Sequence, residues 1–127
     1  MNRFEAAGLF VEAAKGKRIL VLTDGRWEVR DALACFVEHP DISAWPGFRV
    51  CSRNGEERID LGGRGRIVFH SATSNLRGLS ADIILVSEDA CRAMSDGRRE
   101  EFARDVRAIV GGSGCPEIVM DDGTRLL

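Results

Sequence analysis

Apolar positions recur at helical spacing through the first fifteen residues. Phe4, Ala7, Val11 and Ala14 form one line, and Ala6, Leu9, Phe10 and Ala13 fill the arc beside it. Only Glu5, Gly8, Glu12 and Lys15 are left for a polar stripe, so the predicted helix needs cover on more than one side, from the fold or from a partner. Gly16 ends it. "RILVLT", Arg18 to Thr23, is a continuous apolar run too short for a helix and predicts a buried parallel strand. Asp24-Gly25 breaks the run. From Trp27 a second helix is expected, with Val29, Ala32, Leu33 and Phe36 on one face and Pro40 just beyond its end.

The middle of the chain changes period. "FRVCS", "ERIDL" and "RIVFHS" are three short β-type runs, separated by Asn54-Gly55 and by Gly62-Gly63-Arg64-Gly65. Asn-Gly between such runs is a hairpin signal, and the glycine cluster predicts another tight connection. The same cluster also has the look of a single RGG-like RNA-binding piece. Asp82 to Ser87 is a second core strand, followed by helical pattern from Asp89 and, after Ser95-Asp96-Gly97, on to Val110. "EIVM", Glu117 to Met120, is a last buried strand ending at Asp121-Asp122-Gly123.

Strand and helix thus alternate on either side of the hairpins. The expected fold is one α/β domain over residues 1–127, a three-layer sandwich whose mainly parallel sheet carries an antiparallel hairpin extension. The 127 residues suffice for one core and not for two. No run approaches the roughly 18 apolar residues of a membrane helix. The N-terminus lacks a basic segment followed by an apolar core, so a cytoplasmic chain is expected.

Charge narrows the classes further. A formal net charge of −2 argues against a generally basic nucleic-acid binder, leaving only a local patch through Arg64, Arg66 and Arg77. Cys35, Cys51, Cys91 and Cys115 are far apart and form no CxxC pair, and His39 and His70 do not complete a zinc set. Free thiols in a reducing compartment are expected. His39 is expected to close a helix end, and His70 to alternate outward from a strand.

Parallel α/β sheets place functional groups at the carboxyl ends of their strands. Acids occupy three such ends: Asp24, then Glu88 and Asp89, then Asp121 and Asp122. Converging there, they would hold magnesium together with water and phosphate oxygens. Asp also terminates strands and caps helices, which accounts for each cluster taken alone.

The order "GKRILVLTDGRWEVRDALACF", then "ERIDLGGRGRIVFHSATSNLRGLSADIILVSEDA", resembles the ATPase core of phage terminase large subunits and related helicase-like P-loop enzymes. Arg77-Gly78-Leu79-Ser80-Ala81-Asp82 matches the Arg-Gly-x-Ser-x-Asp that precedes the Walker B strand in that family, and Ile83 to Val86 matches the strand. The resemblance implies that Glu88 stands at the catalytic glutamate and Ser87 at the magnesium-holding aspartate. It spans roughly Phe4 to Ala90. No GxxxxGK[ST] exists in the chain, so there is no backbone cradle for phosphates and no lysine for the β and γ oxygens. The loss of the strand that carries that loop requires either that the last strand sit next to the second or that another chain fill the space.

These features imply a non-catalytic, phage-encoded derivative of such a core, with a vestigial Walker B at Ser87 and Glu88 and with no cofactor. It would act by binding a protein partner or a second copy of itself. Two alternatives use other residues. One is a magnesium-dependent phosphoryl-transfer enzyme or nuclease using Asp24, Glu88, Asp89, Asp121 and Asp122. The other is a nucleic-acid-binding accessory protein using Arg64, Arg66 and Arg77.

Overall fold

The computed structural model describes residues 3–53, 55–63, 65–72, 79–93, 96–110 and 117–120. In chain order the elements are α1 (Arg3–Ala14), β1 (Arg18–Thr23), α2 (Arg26–Val37), α3 (Pro40–Ser43), β2 (Arg49–Cys51), β3 (Arg58–Asp60), β4 (Arg66–Ser71), β5 (Ile83–Val86), α4 (Glu88–Ala93), α5 (Asp96–Val110) and β6 (Glu117–Met120). Among the described residues the strands form one mixed sheet of six in the order β2-β3-β4-β1-β5-β6.

β4, β1, β5 and β6 run parallel, while β3 is antiparallel to β4 and β2 antiparallel to β3. The expected hairpins are therefore present, and the turn between β3 and β4 carries Gly62 at φ 79° and Gly63 at φ 60°, a region L side chains rarely adopt. β4 also has a second role that its hairpin pattern concealed. It pairs with β1 from Arg18↔Arg66 to Thr23↔Ser71, joining the hairpins to the parallel core. At the other side β6 lies directly on β5, with Ile83 opposite Glu117.

Alternation along the strands separates two cores. Ile19, Val21, Ile59, Ile67 and Phe69 face the layer of α1, α2 and α3, packing with Ala6, Ala13, Val29, Ala32, Leu33, Phe36 and Ile42. Leu20, Leu22, Ile84 and Val86 face the opposite layer, packing with Ala90, Cys91, Phe102 and Val106 of α4 and α5. A continuous apolar strand such as β1 is buried on both faces because helices cover both. Of its two apolar arcs, α1 buries the one with Ala6, Leu9, Phe10 and Ala13 and leaves Val11 half exposed. Pro40 does more than follow α2: it opens the four-residue α3, fitting a first helical turn that lacks an N–H requirement.

His39 lies at that junction, its N–H donating to the Phe36 carbonyl and its own carbonyl accepting from Ser43. Cys91 is buried and Cys35 and Cys51 are half-buried, none of the three in a disulfide; Cys115 lies outside the described residues. Among the described residues no helix is long and apolar enough to cross a membrane.

Candidate functional site

The chain leaves β1 into α2 on one face of the sheet and leaves β5 into α4 on the other. β1 and β5 are neighbours, so their carboxyl ends form the point where the crossovers diverge, the usual crevice of an open α/β sheet. Asp24 follows β1 there, and Ser87, Glu88 and Asp89 follow β5.

Ser87 is almost fully buried and its polar groups are all engaged in the fold. Its N–H donates to the Leu22 carbonyl at 2.9 Å, extending the β1–β5 ladder by one residue. Its carbonyl accepts from Cys91 at 3.0 Å, the first turn of α4, and its hydroxyl accepts from the Ala90 N–H at 3.2 Å. That is the geometry of a helix N-cap. Glu88 is the first residue of α4, and its side chain lies outside the described parts.

Opposite this strand end stands a residue the sequence pattern passed over. Glu28, in the first turn of α2, is 4% exposed, and neither carboxylate oxygen has a hydrogen-bond partner. Burial pushes its pKa up. The Ser87 hydroxyl and the Asp24 backbone pull the other way, approaching without the geometry of a full hydrogen bond, while the Asp89 carboxyl raises it further. A signal was available: Glu28 precedes Ala32 by four positions, which sets an acid on the edge of the arc that α2 turns to the core.

Glu28 also lines a cleft of about 360 Å³ together with Trp27, Asp31, Ala34, Cys35, Glu38 and Asp89. Trp27 is 58% exposed. Asp89 is solvent-facing and pairs with Arg92 at 3.6 Å through Oδ1. Of the five expected metal ligands, then, Asp24 and Asp89 are placed at adjacent strand ends, Glu88 by its backbone only, and Asp121 and Asp122 lie outside the described residues. Among the described residues no group of three or more His, Cys, Asp or Glu side chains is gathered to hold a metal ion.

The arginines expected to touch nucleic acid divide similarly. Arg66 is exposed at the start of β4, with Nε 3.6 Å from Asp60, which also receives Arg58 at 3.2 Å. Arg64 and Arg77 lie outside the described residues. Half-buried His70 sits on β4, its pKa lowered by burial against the opposing pull of Glu57.

Of the segment matched to Arg-Gly-x-Ser-x-Asp, residues 79–82 are described, and Ser80 and Asp82 both receive Arg18. Its Nη1 donates to Ser80 Oγ at 2.8 Å, and its Nε and Nη2 donate to the Asp82 carboxylate at 3.4 and 3.3 Å. Comparison with protein-family models, with curated proteins and with solved structures finds no match.

Proposed function

We propose that this chain is a non-catalytic derivative of a terminase-like or helicase-like ATPase core, phage-encoded, that works by binding a protein partner or a second copy of itself. The observation that carries this reading is the state of Ser87. In the place where the resemblance puts a magnesium-holding acid stands a buried hydroxyl that caps α4. A serine brings no negative charge to a metal, and this one is already bound to the Ala90 amide. Magnesium held between a carboxylate and nucleotide phosphates needs an accessible carboxylate at this position, and here the side chain is a buried hydroxyl. The chain also has no GxxxxGK[ST], the loop that cradles phosphates in P-loop enzymes. Ser80 and Asp82 fit the same account, since the fold uses both to anchor Arg18.

The test is a calorimetric titration of the full chain with ATP and magnesium, alongside Glu88→Ala. No saturable heat at millimolar nucleotide is the expected result. Saturable heat that the substitution weakens would overturn the proposal and restore a working nucleotide site.

A further inference from the structure

The cleft beside α2 has a composition that the strand-end reading does not use. Glu28, Asp31, Cys35 and Glu38 follow one another at i, i+3, i+7 and i+10, so they lie along one face of the helix over about 15 Å. Asp89 adds a fourth acid from α4, and Trp27 adds an exposed indole. No basic side chain is among the described residues that line the cleft. Arg92 touches Asp89 from its own helix, three residues on, with a side chain that is two-thirds exposed.

Helix electrostatics account for part of this arrangement and leave the rest. Glu28 and Asp89 stand in first turns, where the dipole favours an acid. Glu38 is the C-cap of α2, where the dipole disfavours one, and Glu28 and Asp31 are like charges three apart. A second observation is independent of the count of acids. Glu28 is more than nine-tenths buried, it walls the cleft, and both its oxygens lack a partner. A buried carboxylate without a donor is an acceptor awaiting one.

We propose that this cleft binds an organic cation, an alkylguanidinium or alkylammonium group. Its N–H donors satisfy Glu28, its charge offsets Asp31, Glu38 and Asp89, and its stem or head lies on the Trp27 ring, where cation–π attraction adds to the ion pairing. A volume of about 360 Å³ admits such a group with a short aliphatic stem. The site is independent of whether Ser87 marks a lost nucleotide site. The cation is carried either by a free amine or by an arginine or lysine side chain of a peptide.

The full-length chain, labelled with ¹⁵N, has two tryptophans and gives two indole N–H resonances, from Trp27 and Trp45, with Trp45 as the internal control. Trp27→Phe assigns them. The probes are agmatine, a blocked Gly-Arg-Gly peptide, N-butylurea as the neutral counterpart, and magnesium chloride. A saturable shift of the Trp27 resonance alone is expected with agmatine or the peptide, at least tenfold tighter than with butylurea. Whichever of the two binds tighter names the source. Affinity should fall at least tenfold in Glu28→Gln and also in the exposed double variant Asp31→Asn/Glu38→Gln, which leaves the core untouched. Four results would overturn the proposal: no saturable shift, equal response to butylurea, equal response to magnesium, or unchanged affinity in both variants.

Discussion

Arg18 and Asp82 hold each other by main chain and side chain together. The Arg18 amide donates to the Asp82 carboxylate at 2.9 Å, its guanidinium adds two longer bonds, and the Asp82 amide returns a bond to the Arg18 carbonyl at 2.8 Å. These contacts fix the start of β5 against the start of β1. The register they set is the one that, four residues on, brings Leu22 level with Val86 and lets Ser87 reach the Leu22 carbonyl. The motif-like Ser80 and Asp82 thereby position the strand end that defines the candidate site.

Asp82→Asn should destabilise the protein by about 1 kcal/mol at pH 7, a modest value because both side chains are partly exposed. The Arg18 guanidinium and amide hold the Asp82 pKa below its ordinary value. A depressed carboxylate pKa contributes stability above the unfolded value and loses it as pH falls through the folded one. The difference between wild type and variant in urea midpoint should therefore be full at pH 7 and shrink below about pH 4. An equal difference at both pH values would assign the effect to something other than ionisation.

Glu28→Gln runs the other way. Burial raises the pKa of Glu28, so the folded chain binds its proton more readily than the unfolded chain does. Such a group costs stability as pH rises from its unfolded value through its raised folded value. The Gln variant cannot ionise, and it should be more stable than wild type at pH 8 by about 1 kcal/mol, the scale of one unsatisfied buried polar group. The advantage should vanish near pH 4. The Asp89 carboxyl acts on Glu28 directly, so Asp89→Asn is the control that separates its contribution from that of burial.

Ser87 supports two substitutions with different outcomes. Ser87→Ala deletes the cap on the Ala90 amide and should cost about 1 kcal/mol, read from thermal melts. Ser87→Asp keeps a capping oxygen but sets a second carboxylate against Glu28. It should melt below wild type at pH 7 and recover toward it under acid, and calorimetry with ATP and magnesium should stay flat. A stable, nucleotide-binding Ser87→Asp protein would show that a single lost charge had silenced the site.

The strands and long helices were legible because burial on both faces leaves unbroken apolar runs such as Ile19 to Leu22 and Ile83 to Val86, and because Gly and Pro punctuate them. The parallel partner of β4 was not legible. Pairing across sequence leaves no mark in "RIVFHS" beyond an alternation that either neighbour would satisfy. The face chosen by α1 was equally hidden, since both its arcs are apolar and only packing decides between them. The candidate site was half legible. Strand-end position singled out Asp24, Glu88 and Asp89, and the resemblance singled out Ser87, whereas Glu28 lay inside the second helix and was passed over. Its importance comes from depth and from the absence of a donor, which are tertiary facts.

The sharpest test of the packing concerns Gly65, where the β3–β4 connection passes the end of α1. A Cβ built on Gly65 would fall within the carbonyl of Ala13, which is backbone and has no rotamer to yield. Ala13 is itself 1% exposed and locked in the core between α1 and the sheet. Gly65→Ala must therefore push α1 away from β4 or distort the connection, and it should cost about 3 kcal/mol or more, the range of overpacked core sites. Gly8→Ala is the matched control. Gly8 lies within α1, a Cβ there meets nothing within 4 Å, and removing a mid-helix glycine should raise stability by about 1 kcal/mol. Thermal melts of the two variants should thus move in opposite directions from wild type. If Gly65→Ala melted with wild type, α1 would not rest on the β3–β4 connection, and Ala6 and Ala13 would lose their assigned cover.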